Sequence, residues 1–167
     1  SIAAKGEMMP HNGHIIVSGR NRLFRITPEG EKHELANFGS AAVIMEMAQV
    51  GKDYYVFSPD GLKRSSGNGS FETILDQQDL IKKRLMSISG MAGMKGALLF
   101  ALENGQLYQM KNGEPAKFVS SEMDVSAMLR TERGVLLYDG TDGVLAELKP
   151  SGEVTTVETG LPQAEHI

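Results

Sequence analysis

At 167 residues, 41% hydrophobic and 23% charged, the chain carries enough apolar material for one domain with a core, which excludes a disordered segment. A formal charge of -4 and a pI near 5.6 leave no basic surplus to neutralise phosphates, and so speak against nucleic acid as a partner. The absence of cysteine excludes disulfides, thiolate zinc sites and a cysteine nucleophile, and Met91 to Leu102, broken by Lys95, falls short of the roughly 18 apolar residues that membrane insertion needs.

Taken in order, the chain repeats one grammar. The first unit reads as strand A over Ile2 to Met9, a turn at Pro10-His11-Asn12-Gly13, and an apolar strand B at His14-Ile15-Ile16-Val17. A weaker strand C follows at Leu23-Phe24-Arg25-Ile26, then the turn Pro28-Glu29-Gly30 and a polar strand D at Glu31-Lys32-His33-Glu34-Leu35. The second unit has Asp53-Tyr54-Tyr55-Val56-Phe57 as B, Leu62-Lys63-Arg64-Ser65 as C and Gly67-Asn68-Gly69 as its C–D turn. An insertion over Leu75 to Lys83 follows, where Asp76-Gln77-Gln78-Asp79 before Leu80 and Ile81 predicts a capped helical turn, with Lys82-Lys83-Arg84 as a solvated loop.

The third unit runs through Gly96-Ala97-Leu98-Leu99-Phe100, Leu107-Tyr108-Gln109-Met110, the turn Lys111-Asn112-Gly113 and the polar Glu114-Pro115-Ala116-Lys117-Phe118. In the fourth, strands are predicted at Val125 to Arg130, Val135 to Tyr138, Val144 to Leu148 and Val154 to Val157. The turns Glu132-Arg133-Gly134, Asp139-Gly140-Thr141-Asp142-Gly143 and Pro150-Ser151-Gly152 join them, each expected to use its glycine for a positive φ. Gly160 to Ile167 reads as the approach to a further strand. The leading leucines of the C strands stand at 23, 62, 107 and 145, a repeat of about 40 residues, the length of a four-stranded propeller blade.

The expected fold is therefore all-β, a β-propeller of about four four-stranded blades over 1–38, 39–77, 84–121 and 122–159 in a single domain or half-propeller. The apolar B strand, the Asp- or Asn-Gly turn, the Leu-x-Arg of strand C and the Pro-x-Gly turn together resemble the NHL, two-component-regulator-sensor and gluconolactonase-like propellers. That resemblance implies six to eight blades, so four are expected to form part of a larger or oligomer-completed ring with apolar end faces that a partner covers, the other reading being closure alone as a four-bladed ring, as haemopexin-like domains close. Gly61 to Gly69 also resembles an Asp-box repeat, but Gly67 stands where its Asp would be and Glu72 where its Trp would be, so no sialidase function is carried over. A start at Ser1 without an initiator Met fits an exported bacterial product, periplasmic or secreted, or a fragment.

Ligands of a propeller meet the face made by the B–C turns and the links between blades. Here those positions hold Arg20, Asn21, Asp60, Glu103, Asn104, Asp139 and Asp142. Carboxylates and amides suit a hard cation, and the gluconolactonase-like resemblance implies calcium held by such a set; tight turns select the same residues for conformation alone. No HExxH, Gly-x-Ser-x-Gly or phosphate-cradling glycine loop occurs. His11, His14, His33 and His166 have no third metal-binding neighbour in sequence, and the methionines at or beside the A strands read as adaptable packing. The expected function is a non-catalytic binding module for a protein or a small polar or glycan ligand, with no cofactor and with a protein or a second copy as partner. The alternatives are a metal-dependent lactonase and a structural assembly domain.

Overall fold

The computed structural model describes residues 8–11, 13–39, 43–65, 70–111 and 113–162, with the backbone alone at His11. They form four antiparallel meanders of four strands each, the blades of a β-propeller. The first holds β1 (Met8–His11), β2 (His14–Ser18), β3 (Arg22–Ile26) and β4 (Lys32–Asn37). The second holds β5 (Glu46–Val50), β6 (Asp53–Ser58), β7 (Gly61–Ser65) and β8 (Phe71–Asp76), followed by α1 (Gln77–Lys83). The third holds β9 (Ile88–Met94), β10 (Ala97–Leu102), β11 (Gln106–Lys111) and β12 (Glu114–Ser120). The fourth holds β13 (Val125–Arg130), β14 (Val135–Asp139), β15 (Val144–Leu148) and β16 (Val154–Glu158).

Two local differences from the sequence reading have simple causes. β1 runs through Pro10 and His11, which pairs with His14, because an edge strand tolerates a proline that donates no ladder hydrogen bond. Gly134 has no positive φ; it is glycine because a Cβ there would stand 2.2 Å from the Leu148 carbonyl oxygen. The expected strand residues 2–7, the Gly67-Asn68-Gly69 turn, Asn112, His166 and the last part of the Gly160–Ile167 segment lie outside the described residues.

Strand character follows the burial each strand meets. β10 is buried at all but its first position, while the outer β4 and β16 are mostly exposed and polar and β12 has no buried position, which protects an edge against pairing with other chains. α1 begins with a full capping box: Asp76 Oδ1 accepts from Asp79 N at 2.8 Å, and Asp79 returns a bond to Asp76 N. Such a cap contributes about 1 kcal/mol. Lys82 and Lys83 form its last turn, where positive charge complements the helix dipole, and Arg84 caps it in the left-handed conformation, so this basic cluster ends a helix rather than forming a loop.

The chain divides into two compact units, Ser1–Met86 and Ser87–Ile167. In the first, Ile16 and Leu23 of the first sheet pack with Met47, Tyr54 and Val56 of the second, with Met9 and Phe38 against them. In the second, Leu99, Ala101 and Leu107 of the third sheet pack with Val125, Val135, Leu137 and Leu148 of the fourth. Each fully buried aliphatic side chain adds about 1.5–3 kcal/mol to such a core. Gly90 leaves space for a neighbour: a Cβ on it would lie 2.9 Å from Cγ of Met128, so an A-strand methionine fills the gap between adjacent sheets.

Candidate functional site

The B–C turns are bound to the segments by which each D strand leaves its sheet. Asn21 accepts from Phe38 N at 2.9 Å through its carbonyl and donates from Nδ2 to Gly39 O at 2.6 Å, while the Arg20 carbonyl takes Ile44 N at 2.8 Å. Gly105 O accepts from Ser121 N at 2.9 Å, and Gly143 O accepts from Leu161 N at 3.0 Å. In the second sheet the same closure is made inside the ladder, where Gly61 pairs with Asp76. At these three glycines an added Cβ would meet the backbone oxygen of Leu75, Ser121 or Leu161 within 2.6 Å. Repetition of one close approach explains why glycine recurs at this place.

The same turns consume much of their polar side-chain chemistry. Asp139 is 2% exposed and accepts three backbone N–H groups. Its Oδ1 takes Thr141 N and Asp142 N, both at 2.9 Å, and its Oδ2 reaches back to Asp124 N at 2.8 Å. Asn104 Oδ1 accepts from Gln106 N at 3.2 Å. Asp60 accepts from the Ser58 hydroxyl and from Lys63 Nζ, the latter at 2.6 Å. By contrast Arg20, Glu103 and Asp142 are exposed. Of the seven residues expected to meet a ligand, the structure thus employs Asn21, Asp60, Asn104 and Asp139 in building the turns, and leaves Arg20, Glu103 and Asp142 facing solvent.

Among the described residues no three His, Asp or Glu side chains come together in a group that could hold a metal ion. Three acceptor sites of the Asp139 carboxylate are occupied by backbone N–H groups. Among the described residues the histidines form no such metal-holding group. His11 and His14 are paired residues of adjacent strands, His33 Nε2 lies 3.5 Å from Glu31, and the His14 Nδ1 is buried without a hydrogen-bond partner. What the sequence reading missed is the Asp139 side chain as the group that closes its own turn, and Asp124 as a partner in it; the Asp-x-Thr spacing of an Asx turn was the available signal for the first.

Asp60 carries a usable titration signal. Partial burial pushes its carboxyl up, but the hydrogen bonds from Lys63 and Ser58 outweigh that and hold it below the ordinary value of 3.8. A carboxyl with a lowered folded-state pKa stabilises the fold fully above its unfolded value, and that contribution disappears as the pH falls through the folded one. Stability is therefore expected to decline more gently below pH 3.8 in Asp60→Asn than in the parent, measured by urea midpoints across acid pH. Parallel curves would show that Lys63 does not sense the Asp60 charge.

Comparison of the sequence with protein families and with characterised proteins finds no match. Solved structures do resemble it. Virginiamycin B lyase from Staphylococcus aureus superposes with a TM-score of 0.69 at 13% identity, over 99% of this chain and 58% of the lyase. PorZ, a bacterial surface component of the type-IX secretion system of Porphyromonas gingivalis, gives 0.65 at 13% identity, over 90% of this chain and 20% of PorZ. The extracellular domain of the one-component system BT4673 from B. thetaiotaomicron gives 0.61 at 18% identity, over 93% of this chain and 22% of that one. The chain thus spans little more than half of the lyase and about a fifth of the other two. At these identities the likeness is one of fold: four four-stranded blades built as in larger β-propeller proteins.

Proposed function

We propose that this chain is a non-catalytic interaction module that engages a protein partner through the outward faces of its first and last sheets. Within each unit the braced B–C turns then serve small polar or glycan groups. The observation that carries the reading is the exposure of large apolar side chains on those sheets: Met8 is 74% exposed, Ile15 46% and Leu129 64%. Apolar groups clustered on a sheet face are costly to leave in water and mark interaction surfaces. The braced turns support the second part, because a frame already held by backbone hydrogen bonds loses little entropy when a ligand binds Arg20, Glu103 or Asp142. The likeness to an extracellular domain and to a bacterial surface component supports an extracytoplasmic, bacterial setting. No helix among the described residues is long and apolar enough to cross a membrane.

A photo-crosslinking amino acid placed at Ile15 or Leu129, with exposed Glu31 and Asp142 as comparison sites, tests the reading in the cells that make the protein. Discrete protein adducts from the two sheet faces, and few from Glu31, are the expected result. Adducts from Asp142 alone would move the interaction to the B–C turns, and no adducts from either face would end the proposal.

A further inference from the structure

The sheet faces fall into two kinds, set by strand register. In the first unit one face of the first sheet, with the row Met9–Ile16–Arg25–His33, packs on the second sheet. The row that receives it is Gln49–Tyr54–Ser65–Phe71. Arg25 and Tyr54 are close enough for the Arg25 charge to act on the Tyr54 phenol, which burial pushes up and that charge pulls down. In the second unit the third sheet uses the corresponding face, with Leu99, Ala101 and Leu107, against Val135, Leu137 and Leu148 of the fourth. Within each unit the leading sheet thus presents a forward face, marked by the leading leucine of its third strand, to the backward face of the sheet that follows it.

Each unit also has a face that carries an exposed large apolar side chain among the described residues. The backward face of the first sheet carries the row Pro10–Ile15–Ile26–Lys32, the repeat equivalent of the row containing Tyr54. The forward face of the fourth sheet carries the row Leu129–Leu136–Glu147–Thr155, the repeat equivalent of the row containing Arg25. Ile15 and Leu129 are exposed, whereas Ile16 and Leu137 on the opposite faces of the same two sheets are buried. The two open rows match each other along their length. Leu129 and Leu136 correspond to Pro10 and Ile15, and the carboxylate of Glu147 falls at the level of Ile26 and Lys32. Lys32 Nζ lies 3.8 Å above the ring of Phe24 on that same backward face, so the cation is already turned over the apolar surface.

We infer that the fourth sheet of one copy packs on the first sheet of a second copy, head to tail, reproducing between chains the contact already made within each unit. The inference rests on the interaction reading above and names its partner. Such a contact is heterologous, joining unlike faces, so its two halves are separable by substitution. Light scattering after size exclusion of the 167-residue chain should give at least twice the chain mass of 18.1 kDa at micromolar concentration. Ile15→Lys and Leu129→Lys should each, while retaining their β-sheet circular dichroism, weaken association by tenfold or more. Mixed, they should associate again, because one unaltered forward face meets one unaltered backward face. Should either variant fail to fold, Glu147→Lys and Lys32→Glu replace them: each alone should weaken association, and the double variant should recover it. A parent chain that is monomeric at 100 micromolar overturns the inference, as does loss of association in only one of the two variants. A monomeric chain whose two faces still crosslink to other proteins would overturn the second copy as partner and leave the interaction module standing.

Discussion

Replacing Gly143 by Ala is expected to cost about 3 kcal/mol, among the largest effects of any single methyl group in the described residues. Two independent penalties coincide there. The residue sits at φ +64°, where L side chains are strained, and a Cβ would stand 2.2 Å from the Leu161 carbonyl oxygen. That oxygen belongs to backbone held by the bond from Leu161 N to Gly143 O at 3.0 Å, so it cannot withdraw without opening the closure between the B–C turn and the segment after β16. Gly160 provides the comparison, since its φ of +73° carries the strain but nothing lies within 4 Å of its Cβ position. Gly160→Ala should cost only about 1–2 kcal/mol. For a chain of this size each kcal/mol moves the thermal midpoint by about 2–4 °C, so the two variants should be readily separated by calorimetry. Equal falls would mean that the closure relaxes freely and that the B–C turns are not the braced frames proposed for ligand binding.

Asp139→Ala should destabilise the chain by about 3 kcal/mol, while Asp142→Ala three residues on should stay within about 0.5 kcal/mol. The contrast follows from direction, not residue type. Asp139 is buried and accepts N–H groups from Asp124, Thr141 and Asp142, tying the start of β13 to the turn after β14. Asp142 is exposed and contributes its backbone N–H to that arrangement. Asp139→Asn should fall between, because an amide oxygen can still receive the turn N–H groups while its NH2 opposes the Asp124 N–H, donor against donor. Urea midpoints of the three variants test the order. If Asp139→Ala left the midpoint unchanged, the carboxylate would not be what ties the turn to the start of β13.

Much of the fold was open to reading one residue at a time, because its signals are local. Alternation along Val135 to Tyr138 and Val144 to Leu148, the polar Glu31 to Glu34 edge and the Asp76–Asp79 cap each depend on neighbours within a few residues. The misplaced first turn shows the limit of that reading: Pro10 looked like a strand terminator, and only its place on an edge strand makes it acceptable within β1. Gly134 shows the same limit, since its φ was the expected reason and the Leu148 carbonyl is the actual one.

The candidate site divides along the same line. Composition and spacing placed Arg20, Asn21, Asp60, Glu103, Asn104, Asp139 and Asp142 in B–C turns, where polar residues at tight turns are nearly obligatory. Sequence could not sort them, because a carboxylate that closes a turn and one that faces solvent have the same neighbours in the chain. The bond from Asp124 N to Asp139 spans 15 residues, and that from Asn21 to Gly39 spans 18. The repeat of about 40 residues by itself determined an all-β chain of four-stranded blades. Only the tertiary structure decided which turn residues the backbone consumes and which apolar rows, Ile15's and Leu129's, stay uncovered. Both outcomes depend on pairings between strands distant in sequence, and the energy of a hydrogen bond or a buried side chain is set by what stands opposite it.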